Sequence, residues 1–149
     1  QQAGVQSARP VLFAAWDGDE ASQAGSRAYL AQPAVPLTAT LGVLNLDDVG
    51  AGRGFFLTYE GDRNREALTN QSLAVAATAL NARADVKQVA DTGDQTTFQQ
   101  AGLPATLVIW ADADDDANTV RDTADILDVV KLRRSGQIVS LALRWLADH

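Results

Sequence analysis

The sequence has no cysteine and no methionine among its 149 residues, and its single histidine is the last residue, His149. Without cysteine, disulfides and thiolate metal sites are excluded, and the redox compartment cannot be read. Without methionine even at position 1, the chain reads as processed or as a piece of something longer. No apolar run approaches the roughly 18 residues of a membrane span, and no signal-peptide pattern opens the chain. Basic residues are outnumbered, 12 against 19 acidic for a net charge of -7. They form no stripe, which argues against a nucleic-acid partner, and with no span-length apolar run no membrane partner is expected. Small molecules, peptides, metals and other protein remain.

What is present suits a compact fold. Hydrophobic residues make up 46% and charged residues 21%, and the length matches one domain. Val11 to Trp16 is a short continuous apolar run that reads as a buried strand, and it breaks into the acidic turn Asp17-Gly18-Asp19-Glu20. Ser22 to Ala31 has helix-forming composition and is stopped by Pro33 and Pro36. Thr38 to Leu46 reads as a second strand ending in Asp47 and Asp48, and Gly54 to Tyr59 as a third. Two strands thus deliver carboxylates at their carboxyl ends, where α/β folds place chemistry.

From Asn64 to about Ala84, Leu68, Leu73, Ala76, Ala77 and Leu80 recur at helical spacing. Thr96 to Ala101 is a short helical turn, and Ala105 to Trp110 a fourth strand entered through Gly102 and Pro104. Capping-type residues at 122–125 open a helix running to about Leu132. Ser135 starts another with an apolar stripe at Ile138, Val139, Ala142, Trp145 and Leu146. The order predicts an α/β fold. Four strands, two of them apolar throughout, call for neighbours and for cover on both faces.

Four motifs in order resemble the two-zinc aminopeptidase family, number twenty-eight among the metallopeptidases. Gly18-Asp19-Glu20 with Gly25-Ser26 five and six residues on is similar to that family's Gly-Glu-Glu and Gly-Ser. Asn45-Leu46-Asp47-Asp48-Val49-Gly50 resembles its Asn-Leu-Asp-Met-Val-Gly. Gly93-Asp94-Gln95, leading through Phe98 to Gly102-Leu103-Pro104, resembles its Ser-Asp-His stretch and Gly-Ile-Pro. Residues 117–123 stand where it has Tyr-His-Thr-Pro-x-Asp-Thr.

The resemblance implies a three-layer α/β/α domain of zinc exopeptidase type with a mixed, mostly parallel sheet, incomplete at its N-terminal side, over residues 1–149. It implies Glu20 and Asp47 as metal ligands, Asp19 at the position of the general base, and Asn118 at the position of a lost histidine ligand. Asp94, Asp112, Asp114 and Asp116 fall on the substrate side. The remaining two of five ligands lie upstream of what the chain contains, so two ligands are in place. Zinc is the cofactor implied, held weakly or not at all by these residues, because two carboxylates without imidazole suit a harder cation. Asp19 also shortens the base's reach by roughly 1.5 Å, a displacement that can cost about 100-fold.

The resemblance therefore implies an aminopeptidase-like domain, inactive or incomplete as this chain. The alternatives are a peptide hydrolase once an upstream segment or another chain completes the sheet, and an acidic binding or assembly module. Asp112, Asp114, Asp116 and Asn118 alternate as in a calcium loop, but Ala117 and Thr123 stand where its glycine and closing glutamate belong. A solvated acidic loop is the plainer reading there, with calcium as the alternative. Secretion or a periplasmic location is compatible with the family.

Overall fold

A computed structural model of the protein describes residues 7–51, 57–61, 67–87, 93–110 and 119–149, giving the backbone alone for 57–61 and 84–87. The sheet is built on β4 (Ala105–Trp110). Its apolar side chains bury on both faces, five of six positions being buried, as suits an interior strand. β1 (Val43–Leu46) pairs parallel with it, Val43 opposite Ala105. On its other side β2 (Leu57–Gly61) runs antiparallel, Leu57 opposite Trp110. β3 (Ala84–Lys87) pairs parallel with β2, so the order is β1-β4-β2-β3 and the sheet is mixed.

Residues 106, 108 and 110 of β4 share one face by alternation. There Val108 and Trp110 meet Leu73, Ala76 and Ala77 of α2 (Leu68–Ala79) and Ile138, Val139 and Ala142 of α4 (Val129–Asp148). Thr106, fully buried, donates to Asn70 Oδ1 and accepts from the Thr69 hydroxyl, both at 2.8 Å, which satisfies its polar atom. The opposite face, where Leu107 is buried, is covered by α3 (Gln95–Gln100), and α1 (Ala24–Ala31) packs on α3. The chain is thus an α/β fold in three layers. Among the described residues no helix is long and apolar enough to cross a membrane.

Three expectations need correction. Val11 to Trp16 forms no strand, and Val11, Leu12 and Phe13 are exposed, because no described strand lies beside this segment to pair with its backbone. The helix expected to reach Ala84 stops at Ala79. Asn81 takes a left-handed φ of 47° just past its end, where asparagine is tolerated, and a strand, β3, follows. The two helices expected over 122–132 and from Ser135 are a single 3-10 turn, Ala124–Ile126, and one twenty-residue helix, α4.

The cap of α4 is Asp128, whose carboxylate accepts from Val130 N at 2.7 Å and Lys131 N at 3.3 Å. Ser135 lies inside α4, buried, and donates to Val49 O at 3.0 Å. Trp110 Nε1 donates to the same carbonyl at 2.8 Å. β1 is shorter than the expected Thr38 to Leu46, a 3-10 turn occupying Leu37–Ala39. The start of the strand expected from Gly54 lies outside the described residues.

Candidate active site

The site is assembled where three chain segments end at one edge of the sheet. After Trp16 the chain turns at Gly18, φ 73°, whose carbonyl accepts from Ala21 N and Ala24 N. Ser22 and Gln23 then take left-handed φ values of 65° and 56° before α1 begins, a conformation non-glycine residues rarely adopt and one that collects at functional sites. Gly25 is required by close approach: a Cβ there would stand 2.6 Å from the Asp17 carbonyl oxygen. Its own N–H donates to that oxygen at 2.9 Å. The glycine thus sets how Asp19 and Glu20 leave the preceding segment.

The Ser26 and Thr97 hydroxyls, both buried, lie 3.0 Å apart and tie the start of α1 to α3. Asn45 Nδ2 donates to Gln95 Oε1 at 3.1 Å, which ties β1 to the start of α3. These two links explain physically why Gly25-Ser26, Asn45 and Asp94-Gln95 belong together. Beyond Asn45, β1 ends at Leu46, Asp47 follows it, and Asp48 turns the chain with a left-handed φ of 45°. Gly50 follows, its position set by Leu132 Cδ2, which a Cβ there would meet at 2.6 Å.

The carboxylates act on one another. The Asp19 carboxyl is raised above its ordinary range first by burial and then by the charges of Asp94, Asp47 and Glu20, with the Gln23 side chain opposing. That of Asp47, at the surface, is raised by the surrounding protein mass and by Asp48, Glu20 and Asp94, with the Asp48 backbone opposing. Asp94 is only 6% exposed, and its Oδ1, like Asp19 Oδ1, is buried with no hydrogen-bond partner among the described residues. Asp19, Asn45, Asp47 and Asp94 line one cavity of about 1040 Å³. Trp16, Tyr29 and Phe98, with ring centroids 5.1 to 6.2 Å apart, form an aromatic cluster beside it.

The cavity thus brings together Asp19, Asp47 and Asp94, the last expected on the substrate side, while Glu20 does not line it and acts on Asp19 and Asp47 through its charge. Asn118, Asp112, Asp114 and Asp116 lie outside the described residues. The ties through Asn45–Gln95 and Ser26–Thr97 escaped the sequence reading. The motif spacings were visible, but a hydroxyl or amide gains its meaning only from a partner fifty or more positions away.

The donors gathered here are all carboxylates. Among the described residues no three of the histidine, cysteine, aspartate and glutamate side chains converge as a metal site. A catalytic zinc takes three protein ligands and an open position. The described residues alone therefore do not fit zinc.

The model of Peptidase family M28 matches residues 1–143. No curated protein sequence is a significant match. An aminopeptidase from Aneurinibacillus sp. strain AM-1 is similar, with a TM-score of 0.78 and 26% identity over 87% of this chain. A zinc aminopeptidase from Bacillus subtilis has a TM-score of 0.72 and 21% identity over 80% of this chain. The chain spans 31% of each of these two structures. For an aminopeptidase from Legionella pneumophila the TM-score is 0.67 and the identity 17%, over 88% of this chain and 38% of that one.

Proposed function

The chain belongs to peptidase family M28, and from that premise we propose that residues 1–149 are part of an aminopeptidase-like domain whose catalytic site these residues alone leave incomplete. The observation that carries the reading is the set of Asp19, Asp47 and Asp94 lining one cavity, with Oδ1 of Asp19 and of Asp94 buried and unpartnered among the described residues. Buried acids without partners cost stability, and acids kept at that cost mark sites of chemistry or binding. In this reading Asp19 stands as the proton acceptor, and Glu20 and Asp47 as ligand positions. The substrate class is peptides presented by their N-terminal residue.

The same orphaned oxygens favour a second reading, in which further donors complete the site and peptide hydrolysis follows. Calcium has no support of this kind, since its candidate loop lies outside the described residues. Intact mass and zinc content of the native protein, with turnover of amino-acid anilides, test both. Residues 1–149 alone are expected to show neither stoichiometric zinc nor turnover. Zinc at one or more per chain, with turnover lost in Glu20→Ala, overturns the incomplete reading in favour of the second.

A further inference from the structure

The turn after Asp47 is held from further away than the turn itself requires. Asp47 is tied to the sheet, its N–H donating to Val108 O at 3.2 Å. Asp48 then takes its left-handed φ of 45°, which costs energy in a residue other than glycine and persists only where the surroundings over-determine it. With the backbone so placed, the Asp48 N–H donates to the Asp47 carboxylate.

The over-determination lies in the next three residues, whose carbonyls are each taken by a donor from β4 or from the start of α4. Val49 O accepts from Trp110 Nε1 at 2.8 Å and from the Ser135 hydroxyl at 3.0 Å. Gly50 O accepts from Asp128 N at 2.8 Å. Ala51 O accepts from Lys131 Nζ at 3.2 Å. The turn is thus closed against α4, with no room at Gly50 for a side chain between them.

These ties depend on one another. Lys131 Nζ lies 5.1 Å from the centroid of the Trp110 ring, within reach of cation–π attraction, so the tryptophan that holds Val49 also seats the lysine that holds Ala51. Asp128, whose N–H holds Gly50, also caps α4 through Lys131 N. Trp110 and Ser135 are buried and serve the packed face as well. Lys131 is half-buried, and ordering so flexible a side chain on one carbonyl costs entropy that packing does not demand.

We propose that Lys131 is a positioning residue of the candidate site: through Ala51 O it closes the clamp that keeps Asp48 left-handed, and so keeps the Asp48 amide on the Asp47 carboxylate. The proposal rests on the aminopeptidase-domain reading for the importance of Asp47, and it adds what aims that carboxylate. Lys131 acts through the backbone from Ala51 to Asp48 and not on the reacting atoms. Aim matters because a misplacement of about 1 Å can cost about 100-fold in rate.

Two variants of residues 1–149, compared with the parent by NMR at one pH, test it. Lys131→Met keeps helix propensity and the apolar stem while removing the donor. Lys131→Arg keeps a cation that donates and lies over an aromatic ring. In Lys131→Met the Ala51 carbonyl carbon is expected to shift, and the Asp48 amide to exchange about tenfold faster. The strong cross-peak between amide and α-proton that marks a positive φ weakens at Asp48, and the Asp47 carboxyl carbon moves. Lys131→Arg restores all four signals. In both variants the Ala142 amide of α4 exchanges within about twofold of the parent rate, which separates loss of aim from loss of fold.

Asp48 signals unchanged in Lys131→Met overturn the proposal. So does a change that Lys131→Arg leaves in place, one that α4 shares, or one that occurs with the Ala51 carbonyl unmoved. The expected changes without anilide turnover support the clamp and not the hydrolase. Turnover with Asp48 unmoved does the reverse.

Discussion

The two apolar ends of this molecule are alike in sequence and opposite in structure. Between β4, α2 and α4, Leu73, Val108, Ile138 and Ala142 are wholly buried. Around the cavity, Leu12 is 58% and Phe13 83% exposed, and Leu46 45%. Both regions offer runs of large aliphatic and aromatic residues. They differ in whether backbone partners are at hand: β4 is paired on both sides, whereas the segment 11–16 has none among the described residues. An apolar run becomes a buried strand only where its N–H and C=O groups are paired.

The largest expected effect sharpens that contrast. Ile138→Ala opens a cavity in the packed face and is expected to cost about 2–5 kcal/mol in urea unfolding. Phe13→Ala, of equal or greater volume loss, is expected to stay within about 0.5 kcal/mol, because little of that side chain is buried. Equal losses at the two positions break the comparison.

Gly25→Ala tests how the acids are held. Its Cβ meets Asp17 backbone atoms at 2.6 and 2.9 Å, which cannot give way as a side-chain tip could. The expected loss is about 1–3 kcal/mol, with chemical-shift changes at Asp19 and Glu20. A neutral outcome shows that the segment before α1 is free to move. Next comes Asp128→Ala, which deletes the carboxylate on Val130 N and Lys131 N. A cost of about 1 kcal/mol is expected, with thermal unfolding as the check.

Much of the architecture was legible in the sequence because it rests on local pattern. The β4 run, the short helix at Thr96 and the stripe of α4 were all visible as periodicity or apolar continuity. The same rule failed at Val11 to Trp16, since continuity reports what a segment needs and says nothing of whether a neighbour is present. β3 was hidden by a helical pattern that runs up to it, and Asn81 was the one local sign of the break. At the site, Asp19, Glu20 and Asp47 could be picked out as acids at carboxyl ends of apolar runs. The inclusion of Asp94 depended on α3 folding back over β1, a long-range event carried by the Asn45–Gln95 bond.

The smallest expected effect concerns that acidic end and has the opposite sign. In the folded protein the Asp19 carboxyl titrates above its ordinary value, chiefly through burial. The native state therefore binds a proton more tightly than the unfolded chain does, and stability falls as pH rises from the ordinary carboxylate range through the raised value. Below the ordinary value, about 3.9, Asp19 is protonated in both states and the penalty is absent; above the raised value it is complete.

Asp19→Asn removes the charge and sets an N–H₂ donor among Asp94, Asp47 and Glu20. It is expected to stabilise the protein by on the order of 1 kcal/mol near pH 7, discounted for the partial exposure of the group. The gain shrinks towards zero near pH 3, as paired urea titrations at the two pH values would record. A gain equal at both pH values would trace it to packing. A loss near pH 7 would mean that the carboxylate already has a partner, and the contrast between a satisfied core and an unsatisfied acidic end would fail at its centre.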